Sequence, residues 1–263
     1  MYALVTGASS GIGREIARLL AAKGYNLILT ARRESLLASF GAKIEKHYAV
    51  RTVILPADLS KEQECLRLFL ACKSYPVSIV INAAGFGKLG TYEDVPLEDE
   101  LAIISTNLKA VHILTKLFAN HMEKGRILNI SSIAAFQPGP YFAAYSASKS
   151  YVLQLSMAWN YEMIRRGKKV RILTLCPGPV NTDFNRVAGT EFAMPSISAK
   201  KCAKAAVAGL FANKALILPG FFNKCAYIIS KYAPNCCLLP VEYYIQTSKK
   251  RANKIRLPWQ ENP

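Results

Sequence analysis

Short apolar runs alternate with longer amphipathic stretches from the second residue onward, and few architectures accept that rhythm. Tyr2–Thr6 and the runs 26–31, 52–55, 77–81, 126–130, 170–175 and 215–218 are brief, rich in branched residues or leucine, and polar only at their ends. Such runs suit strands buried on both faces. Between them lie 12–23, 34–47, 61–72, 97–122, 141–166 and 199–213, where apolar residues recur at helical spacing. Strand and helix in alternation predict an α/β fold: a doubly wound parallel sheet of about seven strands with helices on both faces and right-handed crossovers. No Pro/Gly/Ser-rich linker interrupts the pattern, so residues 1–220 read as one domain and 221–263 as its C-terminal basic, partly amphipathic helical extension.

Composition narrows the function classes. At 51% hydrophobic the chain is not a disordered one, and it shows no internal repeat. The strongest candidate for a membrane span, 205–222, is interrupted by Asn213, Lys214 and Pro219, so no span is expected. Met1 runs directly into a strand-like segment rather than a leader, which makes the cytoplasm the expected location. Seven cysteines without a CxxC spacing or histidine companions argue against a disulfide framework or a zinc site. They read as small buried hydrophobes of a reducing compartment. The net charge is +17, and 11 basic against 2 acidic side chains after residue 199 place +9 of it in the last quarter of the chain.

Thr6-Gly7-Ala-Ser9-Ser10-Gly11-Ile12-Gly13 joins the first strand to the first helix. Glycines there allow a tight turn and close backbone approach, and the unpaired N–H groups of the helix start attract a pyrophosphate. The sheet therefore reads as a Rossmann-type nucleotide-binding one. Arg32 and Arg33 end the second strand, where a carboxylate would bind the ribose hydroxyls of NAD. Guanidiniums suit a 2′-phosphate, so NADP(H) is preferred over NAD(H). Asp58 and Leu59 follow the third strand, with the Asp58 carboxylate a candidate for the adenine amino group. Asn82, Ala83, Ala84 and Gly85 follow the fourth, giving small residues where a nucleotide passes close to backbone.

Tyr145 and Lys149 lie four apart, on one face of a helix. With thirteen tyrosines and 21 lysines, one such pair arises by chance, and Tyr227 with Lys231 is a second. The first pair is distinguished by its company: Ser131 and Ser132 close the fifth strand thirteen residues before Tyr145, and Asn107 lies within the stretch 97–122.

In these motifs the chain resembles the short-chain dehydrogenase/reductase family, in its short single-domain form. The resemblance covers about residues 2–218 and adds Pro177, Gly178, Val180 and Thr182 to the pattern; Ala83 replaces the more common second asparagine of N-N-A-G. It implies a catalytic set of Asn107, Ser132, Tyr145 and Lys149, an oxidoreductase that interconverts a carbonyl and a secondary alcohol, and NADP as acceptor. Tyr145 is the implied general acid/base, its phenol lowered from about 10 by the Lys149 cation and the oxidised nicotinamide. Lys149 also holds the nicotinamide ribose, and Ser132 the substrate oxygen. Asn107 has a structural and water-relay role, and Pro177, Gly178, Val180 and Thr182 fix the nicotinamide.

Phe136, Gln137, Phe142, Phe184, Phe192 and Met194 surround or follow the catalytic segments, which points to a hydrophobic substrate such as a steroid, ketoacyl or other lipidic carbonyl compound. The expected partners are that small molecule and further copies of the chain, as a homodimer or homotetramer. No specific nucleic acid is expected. The stripe Phe222, Cys225, Ile229 and Tyr232 with Lys224 and Lys231 allows peripheral membrane contact through the basic tail, beside two other readings: a solvated surface, or an element that contacts another subunit or covers the site. Pro234 and Pro240 are expected to break the tail into short pieces. The alternative function is a noncatalytic NADP-binding regulatory or scaffold protein that keeps the fold.

Overall fold

A computed structural model describes residues 1–189 and 196–255. The apolar runs form strands β1 (Tyr2–Thr6), β2 (Asn26–Thr30), β3 (Thr52–Ile54), β4 (Val77–Asn82), β5 (Lys124–Ile130) and β6 (Lys169–Leu175). The amphipathic stretches form helices α1 (Gly11–Ala21), α2 (Glu34–His47), α3 (Glu62–Cys72), α4 (Leu97–Ile103), α5 (Ala110–His121) and α6 (Ala143–Arg165). Beyond them lie β7 (Val180–Asn181), α7 (Asp183–Ala188), β8 (Ile197–Ser198), α8 (Ala199–Phe211), β9 (Leu216–Ile217), α9 (Phe221–Tyr232) and α10 (Asn235–Ile255).

Seven strands form one parallel sheet in the order β3-β2-β1-β4-β5-β6-β9, and β7 pairs with β8 beside it. Because successive side chains of a strand point to opposite faces, each strand feeds two cores. Val5, Leu27, Leu29, Ile81 and Leu128 pack with Ile16 and Leu20 of α1, Leu37 and Phe40 of α2, and Ala206 and Leu210 of α8. Leu4, Ile28, Val80, Ile127 and Ile172 pack on the other side with Cys65 and Leu68 of α3 and Leu114 and Phe118 of α5. Burying each of these Val, Leu, Ile and Phe side chains contributes about 1.5–3 kcal/mol.

The chain winds outward from β1 through β2 to β3, then returns to place β4 on the other side of β1. Open sheets of this kind carry their ligand crevice at that reversal, outside the carboxyl ends of the strands. Here those ends are Thr6 and Asn82, which pair directly in the β1–β4 register.

Several expectations need correction. The stretch 97–122 is not one regular helix: Ile104–Lys109 is a π-helical turn between α4 and α5, so backbone pairing shifts around Asn107. That stretch, Leu97–His121, is also the one described helix long and apolar enough by composition to cross a membrane, in place of 205–222. Its Leu114 and Phe118 pack in the core with Val80 and Ile127 of the sheet instead. Pro240 does not stop the tail, since α10 runs through it for 21 residues. Pro240 removes only the bond to the Cys236 carbonyl, and both residues are exposed, so water can take that acceptor. Cysteine burial is also partial: Cys65, Cys72, Cys176 and Cys202 are buried, Cys225 is half-buried, and Cys236 and Cys237 on α10 are exposed.

Candidate active site

The loops after β1 and β4 meet at the reversal of strand order. The Thr6 hydroxyl donates to the Ile81 carbonyl at 3.4 Å and accepts the N–H groups of Ala83 and Ala84 at 3.1 Å each. Gly7 is held at φ +65°, and a Cβ there would lie 2.8 Å from the Ala83 carbonyl and the Ala84 nitrogen. A Cβ on Gly13 would lie 2.6 Å from the Gly7 carbonyl oxygen. No other residue fits either place without moving backbone, and the result is a shallow cradle at the start of α1. The cap residue Ser10 makes no side-chain capping bond, so the first-turn N–H groups face the cradle without competition from it. Backbone donors and glycines together fit a pyrophosphate.

A cavity of about 450 Å³ runs from this cradle across the ends of the strands. Gly7, Ser9, Ser10, Gly11, Ile12 and Gly13 line one end, with Arg32, Arg33, Asp58 and Leu59 beside them. Arg33, the residue before α2, donates to the Ser9 hydroxyl at 3.2 Å, which draws its guanidinium over the glycine turn. Burial pushes the Asp58 carboxyl up, but hydrogen bonds from the Ser60 hydroxyl and N–H and the nearby Arg32 and Lys61 charges outweigh that and hold it below its usual range. Ala83, Ala84 and Gly85 continue the floor, followed by Pro177, Gly178, Val180 and Thr182.

At the centre stand Ser132, Tyr145 and Lys149. Ser132 follows β5 and caps the short 3₁₀ turn Ile133–Phe136, accepting the Ala134 N–H at 3.2 Å. Tyr145 and Lys149 sit one turn apart on α6 and face the same way. The Lys149 ammonium donates to the Ile130 carbonyl at 2.9 Å and lies 5.5 Å from the centre of the Tyr145 ring. Burial dominates both groups. It lowers Lys149 to about 8 and raises Tyr145 to about 12, against a hydrogen bond with Ser132 that pulls the phenol down. The depression expected for Tyr145 depends in part on an oxidised nicotinamide beside it; from the protein alone, desolvation outweighs the Ser132 bond and raises the phenol.

Three expected site residues do not line the cavity. Asn82 is 2% exposed and its amide donates to Thr115 and Asn129, within a buried network that continues to Ser156. Asn107 is fully buried in the π-helical turn. It accepts the Phe86 N–H at 3.0 Å and donates to the Phe86 carbonyl at 2.8 Å and to the Ser148 hydroxyl at 3.2 Å. Its bonds thus hold the loop after β4, and a Cβ on Gly85 would come within 2.9 Å of the Asn107 oxygen and 3.3 Å of the Lys149 nitrogen. Phe136 packs against Tyr227 of α9, ring centres 4.7 Å apart.

Gln137, Phe142 and Phe184 do line the cavity; Phe192 and Met194 lie outside the described residues. The rings of Phe142 and Phe184 lie 4.4 and 5.4 Å from that of Tyr145, tilted against it by 31° and 56°. Sequence reasoning missed Phe86 and three residues of α10: Glu242, Ile245 and Gln246. Gln137 donates to the Glu242 carboxylate, and Gln246 donates to the same carboxylate at 3.3 Å. The spacing of 242, 245 and 246 marks one helical face, a signal hidden by treating Pro240 as a terminator. Tyr141 sits at φ +62°, rare and costly for a residue with a Cβ, and its hydroxyl donates to that of Tyr243 on α10 at 3.4 Å.

A family profile described as short chain dehydrogenase matches residues 1–192. A very-long-chain 3-oxoacyl-CoA reductase from Pyrenophora tritici-repentis is 33% identical over 204 residues, which cover 74% of this chain and 59% of that protein. A human protein described as inactive hydroxysteroid dehydrogenase-like protein 1 is 36% identical over 178 residues, covering 65% of this chain and 54% of its own. The matched part of this chain thus spans little more than half the length of these relatives. Among solved structures, a short-chain dehydrogenase from Sphingobium yanoikuyae in complex with NADPH superposes with a TM-score of 0.79 at 23% identity over 100% of this chain and 98% of that one. One from Burkholderia phymatum in complex with NAD gives 0.79 at 22% identity over 87% and 92%.

Proposed function

Since the chain belongs to the short-chain dehydrogenase family, we propose that it is an oxidoreductase that interconverts a bulky apolar ketone or aldehyde and the corresponding alcohol, with NADP(H) preferred. The observation that carries this reading is the convergence of Ser132, Tyr145 and Lys149 in a cavity that begins at the glycine cradle. Bound there, the nicotinamide supplies or accepts the hydride.

The chain's own residues handle the proton and the oxygen. Ser132 hydrogen-bonds the carbonyl oxygen, and the Tyr145 phenol gives that oxygen its proton in reduction or takes it back in oxidation. Lys149 holds positive charge next to the phenol and so favours the phenolate left by proton transfer. Asn107 positions the Phe86 loop and Ser148, which donates to the Tyr145 carbonyl at 2.7 Å and so supports the turn carrying the phenol. Arg32 and Arg33 support the NADP(H) preference, because the end of the second strand presents two guanidiniums to the cradle and no carboxylate.

Phe142, Phe184 and Ile245 give the substrate end an apolar lining, while Gln137, Glu242 and Gln246 add a polar wall. That combination suits a lipidic or steroid-like carbonyl compound with a hydrogen-bond donor away from the reacting carbon, and it disfavours a carboxylate. For assembly we propose a homo-oligomer through the face that leaves Leu101 of α4, Ile104 just after it, and Met157, Tyr161 and Ile164 of α6 exposed.

The relative described as inactive favours a second reading, a noncatalytic nucleotide-binding protein. One experiment separates the two: NADPH oxidation followed with a panel of bulky ketones, in wild type and Tyr145→Phe, with NADH in parallel. Turnover that disappears in Tyr145→Phe supports the enzyme. NADPH binding with no turnover in either protein sinks it.

A further inference from the structure

Helix α9 turns its apolar side outward. Its inner side is anchored: Tyr227 packs on Phe136, and the Asn223 side chain occupies the space where a Cβ on Gly178 would stand. The outer side presents Phe221, Phe222 and Tyr232, each 75% exposed, with Ile228 and Ile229 between them. At about 100° per residue these five cover roughly a third of the helix circumference. Lys224 and Lys231, both exposed, border one edge of that arc. A globular surface seldom leaves so apolar a helical face in water without an occupant.

Charge identifies the occupant. Of the side chains after residue 199, 11 are basic and 2 acidic, and one of the two acids, Glu242, is turned into the cavity. A second copy docked here face to face would bring the same exposed Lys224 and Lys231 against this face. An anionic lipid surface meets both demands at once, with acyl chains for the aromatic arc and headgroups for the lysines. We infer that α9 lies in the interfacial layer of an anionic membrane and docks the protein there peripherally, whether or not the proposed reaction occurs.

The test is vesicle co-sedimentation of the full chain at low salt, with phosphatidylcholine vesicles and with vesicles containing anionic phosphatidylglycerol. The bound fraction is expected to rise steeply with phosphatidylglycerol and to fall at high salt, each lysine accounting for about fivefold in partition. Phe221→Ser/Phe222→Ser should weaken binding to anionic vesicles by about tenfold or more. Its NADPH fluorescence titration and melting curve should stay unchanged, since neither phenylalanine is buried. Three outcomes overturn the inference: no binding of wild type to anionic vesicles at low salt, equal binding by the double variant, or a wild-type oligomer that the double variant dissociates. The last would make this face a subunit interface.

Discussion

The ammonium of Lys149 is satisfied by the Ile130 carbonyl at 2.9 Å while it faces the Tyr145 ring 5.5 Å away, so backbone rather than the phenol fixes its position. The two groups are shifted in opposite directions by the same burial, Lys149 down to about 8 and Tyr145 up to about 12. Reduction should therefore slow as pH rises through about 8, where the cation beside the phenol is lost while the phenol itself stays protonated. Tyr145→Phe should lower kcat by about 10²–10⁴-fold. A pH–rate profile that stays flat from pH 7 to 9 would contradict this assignment.

The same shifts set a stability profile. Between about pH 8 and the ordinary lysine value of about 10.4 the unfolded chain binds the Lys149 proton and the fold does not, so this residue's contribution rises with pH across that window. For Tyr145 the folded value is the raised one, so its contribution is lost as pH climbs from about 10 toward 12. Urea unfolding of wild type and Lys149→Met at pH 7.5 and 9.5 should show the variant's advantage shrinking as pH rises.

Arg33 bonds Ser9 at 3.2 Å and Arg32 shares the same end of the cavity. Replacing both with alanine removes charge-assisted bonds worth about 1.5–3 kcal/mol each to a phosphate. NADPH affinity should fall at least about tenfold, with NADH affected much less. Equal losses for the two nucleotides in fluorescence titrations would refute a role in telling them apart.

Asn107 satisfies both backbone groups of Phe86 from within the π-helical turn. Asn107→Ala leaves these part-buried groups without that partner, at a cost of up to about 1–3 kcal/mol apiece. Chemical denaturation should show the loss, and activity should fall through misplacement of the Phe86 loop and Ser148. Asn107→Ser should recover part of the stability if the hydroxyl reaches one of the two groups.

Glu242 lines the cavity and accepts from Gln137 and Gln246. Glu242→Ala should raise KM for a hydroxyl-bearing bulky ketone by about tenfold or more, and leave NADPH binding unchanged because the glycine cradle is untouched. A matched substrate pair, hydroxyl against methyl, reads this directly: the variant should lose discrimination between them.

Much of the scaffold was legible because its signals are local. Helix α2 begins and ends where periodicity placed it, at Glu34 and His47, and each of the seven sheet strands falls on an apolar run. Tyr145 and Lys149 were legible for the same reason, four residues apart on one helical face. The π-helical turn around Asn107 was not, since the apolar spacing of 97–122 continues through it and only the bonds to Phe86, 21 residues away, reveal why the ladder shifts.

Residue spacing alone determined the alternation of strand and helix, the glycine turn after the first strand and the tyrosine–lysine pair, all of which depend on neighbours a few positions apart. Tertiary structure decided what stands next to what. It brought Gly7 against Ala83 so that no side chain fits between them, and withdrew Asn82 into the core. It also carried α10 back across 105 residues to set Glu242 against Gln137. Contacts over such separations follow from sheet order and packing, and periodicity in the chain carries no record of them.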